Sequence, residues 1–437
     1  MPAARWGALA GGAVVLAALS LALPWALAFD PMAWVLWGRE ITRGTLYTSA
    51  GPSWKPLPVL FTTPFALAGD AAPALWLVVG RAGALLALAG AARLAALLVP
   101  PRRALPAALA AAGALALSPW WLFNGALGNS EGLLAAAVLW AAVAHLGARP
   151  GAAFGLGLAA SLLRPEAWPF LGLYAVWLWA GRRVPRSVIA AGLAVLPVAW
   201  IVPGLLGGGG ALSASDAARG TPSQGSAALA DVPALAVLGD AVELLTWPVA
   251  VALVPAVALL RGSARLLAAM ALAWVLIVAA MSQAGYAGNP RYLVGAAAVA
   301  CALAAAGAVR AAGWPGAVVL VAAVAVVTAG DLADQVDELG VRARARTGLP
   351  RAIERAGGAV ALERCAAVRT SASARTYVAW ELDLPLPGLA DRPRPPVVLV
   401  RARPPRGGRA VPPLPPGAGL REAVRTPDWQ NWTACRA

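Results

Sequence analysis

Apolar runs of about 20 residues recur along the first 330 positions and alternate with short turns rich in glycine, proline and arginine. A helix of about 20 apolar residues is long enough to cross the hydrocarbon core of a bilayer. The pattern predicts about eleven spans, over residues 8–29, 71–99, 106–125, 133–148, 152–163, 168–181, 188–206, 237–260, 266–282, 292–311 and 315–330. We therefore expect an all-α polytopic membrane protein, with residues 1–330 forming its transmembrane domain.

Residues 331–437 have a different composition, because they are charged and rich in proline. The runs "RTYVAWELDL" and "PVVLVRARP" are typical of short strands. We expect a small α/β domain here, outside the membrane. Cys365 and Cys435 both lie in it, and an even pair in an oxidising compartment predicts a disulfide, with two free thiols as the alternative.

The segment between the first two predicted spans, about residues 30–70, is too long for a turn and too apolar for disorder. Met32 and Trp34–Trp37 are followed by the charged residues Arg39, Glu40 and Arg43. This order predicts an amphipathic helix that lies along the membrane interface.

The charge distribution indicates which side each loop faces. The chain is 60% hydrophobic, only 13% charged and carries a net charge of +15, which does not indicate nucleic-acid binding in a membrane protein. Arginines fall in alternate short loops, which predicts that these loops and the N-terminus are cytoplasmic and that the C-terminal domain is outside a plasma membrane. The loop arginines are Arg102, Arg103, Arg149, Arg182, Arg183, Arg186, Arg261 and Arg265.

The acidic residues before position 331 all fall on the opposite, outer side in this topology. They are Asp30, Glu40, Asp70, Glu131, Glu166, Asp216, Asp231, Asp240 and Glu243. Chance among so few acids is one explanation, and a concentration of chemistry at the outer face is the other.

Asp30 and Lys55 are the first candidates for that chemistry. Asp30 directly follows the first span, where a carboxylate can accept a proton from an incoming hydroxyl. Lys55 is the only lysine of the chain, and a compact ammonium with three donors suits a narrow site for a phosphate oxygen. The alternatives are a solvated helix end for Asp30 and a snorkelling interfacial side chain for Lys55.

Further polar residues fall at predicted outer helix ends or, for Arg81, inside a span. Ionisable residues at membrane depth are costly and commonly mark functional sites. Arg164 is expected either to pair with Glu166 or to bind phosphate. The predicted substrate-binding residues are Glu40, Lys55, Arg81, Asn129, Glu131, Arg164, Glu166, Asn289, Arg291 and Tyr292.

Several short segments carry a family resemblance. Asp30 follows the first span, "GTLY" stands at 44–47 and "WKPLP" at 54–58, and "LLRPEAWPFLGLY" and "GNPRYLVGAAAVACALAAAG" follow later. On these segments, residues 1–330 resemble the GT-C superfamily of membrane glycosyltransferases. The chain is similar to lipid-linked aminoarabinose transferases and protein O-mannosyltransferases, and its tail to the outer C-terminal domains of some actinobacterial members.

The resemblance implies transfer of a hexose or pentose from a polyprenyl-phosphate donor, with inversion, at the outer face of the membrane. The acceptor would be a glycan, lipid or protein of the cell envelope. Asp30 would be the general base, and Lys55, Arg164 and Arg291 would stabilise the departing lipid phosphate.

Family loops often carry paired acids, whereas Asp30 stands between Phe29 and Pro31 with Glu40 as the nearest second acid. No metal site or other cofactor is therefore predicted, although binding of a divalent metal is left open. The alternative functions are a lipid or polysaccharide transporter or flippase, and a non-catalytic envelope scaffold.

Overall fold

A computed structural model describes residues 3–220, 225–365, 367–389, 397–402 and 421–433 of the chain. The described part is mostly helical, with one small sheet near the C-terminus. The first eight helices are α1 (Ala3–Leu19), α2 (Phe29–Thr42), α3 (Pro56–Phe65), α4 (Ala72–Leu97), α5 (Ala104–Ala116), α6 (Pro119–Ala126), α7 (Glu131–Leu146) and α8 (Pro150–Ser161). Proline at the first or second position begins several of them, because it lacks only an N–H that has no partner there.

The remaining helices are α9 (Trp168–Ala180), α10 (Arg186–Leu206), α11 (Ser213–Arg219), α12 (Pro233–Leu259), α13 (Ser263–Gln283), α14 (Val294–Arg355), α15 (Gly358–Cys365) and α16 (Arg375–Glu381). Helix α14 is broken at Gly313, whose φ of 62° is a conformation that glycine adopts without strain. Arg291 just before α14 and Arg346 near its end both contact residues 25–30. The two segments of α14 therefore return to the same end of the molecule.

The chain is a multi-pass membrane protein, but with fewer candidate spans than predicted. Within the described residues, five stretches are long and apolar enough to cross a bilayer, or six if α5 and α6, bent by 68°, count as one. The five are Pro56–Leu97, Arg186–Leu206, Pro233–Leu259, Ser263–Gln283 and Pro290–Arg355. The prediction of about eleven spans is therefore too high by this criterion.

The difference has two physical causes. Helices α1, α7, α8 and α9 have 17, 16, 12 and 13 residues, which is less than the usual length of a bilayer-crossing helix. The last two predicted spans belong to the single stretch Pro290–Arg355.

Small residues let the helices of the core approach closely, as is common in membrane proteins. A Cβ atom added to Gly307 would lie 2.5 Å from the backbone nitrogen of Ala256, which places the backbones of α14 and α12 in contact. A Cβ on Gly132 of α7 would lie 2.8 Å from the nitrogen of Ala84 in α4. Alanine and glycine therefore hold these helices against one another.

Helix α2 forms where the amphipathic interfacial helix was predicted, but it does not lie on a surface. Met32 and Trp34–Trp37 are fully buried, and Arg39 and Glu40 are buried as well. One face packs on α3 and α4, while Ala33 and Leu36 join a hydrophobic cluster with residues of the C-terminal part. The charged end that suggested an interfacial helix is covered by residues more than 300 positions away in sequence.

The C-terminal part contains both helix and strand. The prediction of a strand in "RTYVAWELDL" is wrong, because Arg375–Glu381 forms helix α16, with Val378 and Ala379 packed in the cluster with α2. The run "PVVLVRARP" contains a strand as predicted. Strands β1 (Ala367–Thr370), β2 (Val397–Ala402), β3 (Arg421–Arg425) and β4 (Trp429–Thr433) form a sheet in the order β1-β2-β4-β3. The β1–β2 pair is parallel, and β2–β4 and β3–β4 are antiparallel. Helix α14 continues through the predicted domain boundary at 330/331. Cys435 of the predicted Cys365–Cys435 disulfide lies outside the described residues, so that disulfide stays a prediction.

Candidate active site

A cluster of charged residues forms where the ends of several helices meet. Asp30 lies in the first turn of α2, Lys55 immediately precedes α3, and Glu131 is the first residue of α7. Arg164 lies between α8 and the 3₁₀ helix Pro165–Ala167, and Arg291 lies in the 3₁₀ helix Pro290–Leu293. Proline after Lys55 and Arg164 starts a new helical turn at each position. The cluster is therefore built at chain breaks, where side chains from different helices converge.

The charged cluster has a buried half and a more accessible half, and Glu131 lies at the centre of the buried half. Its Oε1 atom accepts a hydrogen bond from Arg164 Nη2 at 2.7 Å and lies 3.8 Å from Lys55 Nζ. Lys55 Nζ donates a hydrogen bond of 2.9 Å to Ser130 Oγ. Glu131 is 1% exposed and both cations are 5% exposed, so these charges interact with little screening by solvent.

Asp30 and Arg291 form the more accessible half. Arg291 Nη2 lies 2.7 Å from Asp30 Oδ2, and their side chains are 27% and 12% exposed. Asp30 also lies in the first turn of α2, where the helix dipole favours a negative charge. Asp30 and Arg291 therefore form the side of the cluster that is more open to solutes.

Aromatic rings connect the two halves. Tyr292 lies under the guanidinium of Arg164 at 4.0 Å and is 6.0 Å from that of Arg291. The Trp34 ring lies 5.0 Å from Lys55 Nζ, a favourable cation–π geometry. These rings fix the positions of the cations without neutralising them.

Other predicted binding residues lie beside the cluster. Glu166 Oε1 is 3.9 Å from Arg164 Nη1. Asn289 Nδ2 donates a hydrogen bond of 3.4 Å to the Tyr292 hydroxyl. Asn129 Nδ2 donates a hydrogen bond of 3.0 Å to Asn124 Oδ1.

Five buried polar atoms of the residues named above in and beside the cluster have no hydrogen-bond partner among the described residues. They are Trp34 Nε1, Asn129 Oδ1, Glu131 Oε2, Arg164 Nε and Glu166 Oε2. Buried polar atoms are normally hydrogen-bonded to protein, water or ligand, so this region is suited to a polar ligand.

Glu40 lies outside the cluster. It is ten residues beyond Asp30 on α2, about 15 Å along the helix axis, and its Oε2 atom accepts the Tyr47 N–H at 3.0 Å. Burial raises the pKa of Glu40 to about 7, and the hydrogen bond from Tyr47 offsets part of that effect.

Arg81 also lies outside the cluster. Its guanidinium donates to the Ser20 and Ala126 carbonyl oxygens at 3.0 and 3.1 Å and to Ser20 Oγ at 2.7 Å. These bonds join the end of α1 to the end of α6. The Ser20 carbonyl also accepts the Leu23 N–H at 3.2 Å, so Arg81 adds a charged donor to it.

Two residues at the cluster were not among the predicted binding residues, namely Ser130 and Trp34. Ser130 stands beside Glu131 in the turn "GNSEG", and the polar residues of this turn were the sequence feature that pointed to it. Trp34 looked like part of an interfacial apolar face, and no local pattern places it against Lys55. Among the described residues, no group of three His, Cys, Asp or Glu side chains is arranged to hold a metal ion.

Comparison with solved structures finds a similar fold that covers nearly the whole chain. The chain is similar to the crystal structure of ArnT from Cupriavidus metallidurans in the apo state, with a TM-score of 0.57 and 14% identity, covering 100% of this chain and 99% of that one. It is also similar to the structure of that ArnT bound to undecaprenyl phosphate, with a TM-score of 0.55, 13% identity and coverage of 99% and 98%. No protein-family model and no curated protein matches the sequence. At this identity the likeness shows a shared fold.

Proposed function

We propose that this protein is a GT-C-type membrane glycosyltransferase that takes its sugar from a polyprenyl-phosphate donor. The observation that carries the proposal is the convergence of Lys55, Arg164 and Arg291 with two carboxylates at one buried site. The fold supports it, because ArnT, a GT-C lipid-linked aminoarabinose transferase, has a similar structure with undecaprenyl phosphate bound. The acceptor is a glycan, lipid or protein of the cell envelope at the outer face.

The three cations bind the phosphate that links the sugar to the lipid. Lys55 uses one of its three N–H groups on Ser130 and lies too far from Glu131 for a hydrogen bond, so it has donors left for phosphate oxygens. Arg291 uses one of its five N–H groups on Asp30 and is the most exposed of the three cations. Arg164 is held in place by Glu131 and contributes its positive charge from the buried half of the cluster.

The reaction is a displacement with inversion at the anomeric carbon. An acceptor hydroxyl oxygen forms the new bond to that carbon while the bond from the carbon to the phosphate oxygen breaks. The hydroxyl proton passes to Asp30, and the lipid phosphate leaves with one more negative charge than the donor had. Stabilisation of that developing charge by fixed cations is the largest expected contribution to the rate.

Arg291 links the acid and the phosphate. Its guanidinium holds the Asp30 side chain in place through the contact of 2.7 Å between Nη2 and Oδ2. A guanidinium can bind a carboxylate and a phosphate at the same time, because its donors form a planar fork. Asp30 and the phosphate then lie on opposite sides of Arg291. An inverting displacement requires this separation, because the hydroxyl attacks the face of the anomeric carbon opposite the departing phosphate.

The test uses the full-length protein in lipid nanodiscs with a panel of undecaprenyl-phosphate pentoses and hexoses and a cell-envelope fraction as acceptor. Release of undecaprenyl phosphate is measured by mass spectrometry, because it is the product whichever sugar is transferred. We expect release from at least one donor, with gain of that sugar by the envelope fraction. Movement of intact donor across the bilayer of sealed vesicles that contain the protein, without release, would favour a flippase, and no release from any donor would contradict the proposal.

A further inference from the structure

The segment that leads into α2 is held by the C-terminal part of the chain. Residues 24–28 have no regular secondary structure, so their backbone groups need partners elsewhere in the protein. The Leu27 N–H donates to the Tyr377 hydroxyl oxygen at 2.5 Å, and that hydroxyl lies 3.3 Å from the Leu27 carbonyl oxygen. Arg346 Nε donates to the Trp25 carbonyl at 2.8 Å, with its guanidinium 3.7 Å from the Trp25 ring.

The other end of α2 is held by the same helix, α16, and the turn that follows it. Arg39 donates to the carbonyls of Ala379, Trp380 and Leu384 at 3.2–3.4 Å and forms an ion pair of 2.8 Å with Asp383. The carbonyls of Ala379 and Trp380 also accept the backbone N–H groups of Leu384 and Asp383. Arg39 therefore adds a charged donor to the turn that ends α16.

Packing between these two anchors completes the contact. Ala33 and Leu36 of α2 share a buried cluster with Val378 of α16 and with Leu349 of α14. On the opposite face, the carbonyl of Trp34 accepts the Thr62 hydroxyl at 2.7 Å. Helix α2 is therefore enclosed between the membrane helices and the C-terminal part, and neither side alone fixes its position.

We propose that Tyr377 is a positioning residue that fixes the location of Asp30 in the active site. Its hydroxyl binds the Leu27 peptide, three residues before Asp30, at the point where the chain enters α2. The C-terminal part is then an integral element of the catalytic apparatus, because it sets the distance from the base to the acceptor hydroxyl. This inference rests on the function proposed above.

Tyr377→Phe removes the hydroxyl and keeps the ring. We expect kcat for release of undecaprenyl phosphate to fall about 10- to 100-fold, since a displacement near 1 Å can cost about 10²-fold. Binding of undecaprenyl phosphate and the unfolding temperature should stay near the wild-type values. Arg346→Lys removes the second anchor of the segment and should lower kcat in the same way.

Tyr174→Phe is the matched control, because it makes the same chemical change in α9. The Tyr174 hydroxyl contacts His145 Nδ1 at 3.1 Å, at the end of α7 about 20 Å from Glu131. This variant should keep the wild-type kcat.

A double mutant separates a role through Asp30 from general destabilisation. If Tyr377 acts through Asp30, adding Tyr377→Phe to Asp30→Asn should lower kcat by less than twofold, because the positioned group is already lost. Unchanged kcat in Tyr377→Phe, or a full additional loss in the double mutant, would overturn the inference and leave the proposed function intact. A fully active Asp30→Asn protein would overturn the inference and the role of Asp30 as the base, whereas only the absence of release by the wild-type protein would overturn the proposed function.

Discussion

Arg291 Nη2 lies 2.7 Å from Asp30 Oδ2, so the predicted general base forms an ion pair with a cation predicted to bind the lipid phosphate. Arg164 and Glu131 form a second pair at the same distance of 2.7 Å, with less exposure to solvent. The described cluster thus contains three cations, Lys55, Arg164 and Arg291, and two carboxylates, Asp30 and Glu131, with Glu166 beside it. A phosphate that enters it competes with these carboxylates for the cations.

Lys55→Arg tests whether the only lysine is needed for its shape as well as its charge. The ammonium lies between Ser130 and the Trp34 ring and is 5% exposed, which leaves little room for a planar guanidinium. We expect kcat/KM for donor to fall about 10²-fold, similar to the loss of one charge-stabilising donor.

The control for Lys55→Arg is Arg103→Lys, which exchanges the same two residue types in the opposite direction. Arg103 donates to the carbonyls of Val309 and Arg310, away from the charged cluster. The Arg103→Lys protein should keep the wild-type kcat/KM for donor. Near-normal turnover of a stable Lys55→Arg protein would show that Lys55 has no specific contact with the phosphate.

Glu131→Gln tests the competition for the cations directly. The substitution leaves Arg164 and Lys55 buried without their carboxylate, and breaking a buried pair typically costs about 3–5 kcal/mol. We expect a lower unfolding temperature without ligand and a larger rise on addition of undecaprenyl phosphate than in wild type, because the phosphate then replaces the missing anion. Differential scanning fluorimetry in detergent measures both.

The control for Glu131→Gln is Glu338→Gln. Glu338 pairs with Arg342 at 2.7 Å, but the two side chains are 39% and 42% exposed, so its loss should cost less than about 1 kcal/mol. A ligand-induced rise in Glu131→Gln that is equal to or smaller than that of wild type would contradict the competition.

Glu40→Gln tests the effect of pH on stability. Burial raises the folded-state pKa of Glu40 to about 7, whereas an unfolded glutamate titrates near about 4.3. Between these values the folded protein keeps a proton that the unfolded chain has released, so this group's contribution to stability is lost as pH rises through that window. Glu40→Gln should therefore lose less stability from pH 5 to pH 8 than wild type in thermal unfolding. Identical pH dependence in the two proteins would contradict a raised pKa.

The sequence located the charges of the site but could not show how they pair. Asp30, Lys55, Glu131, Arg164 and Arg291 were each recognisable as charges at helix ends of an apolar chain. Their pairing depends on contacts between segments far apart in sequence, such as residues 30 and 291, which no local pattern encodes.

Glu40 and Arg81 were also recognisable in the sequence as ionisable residues in an apolar chain, but in the structure they lie outside the charged cluster. An ionisable residue in an apolar context can be held by a ligand or by backbone groups, and the sequence does not distinguish these cases. Arg81 binds the carbonyls of two helix ends, and Glu40 accepts a backbone N–H. The helix α2 was likewise predicted correctly as a helix, while its burial depends on Val378 and Leu349 of the C-terminal part.

The central claim is that Asp30 takes the proton of the acceptor hydroxyl while the cations hold the lipid phosphate. The most direct test compares wild type with Asp30→Asn in the same nanodisc assay, measuring both binding of undecaprenyl phosphate and its rate of release from the active donor. The account predicts that the variant still binds undecaprenyl phosphate and transfers about 10²- to 10⁴-fold more slowly, because an amide cannot accept the proton. Transfer by Asp30→Asn at the wild-type rate would contradict the account.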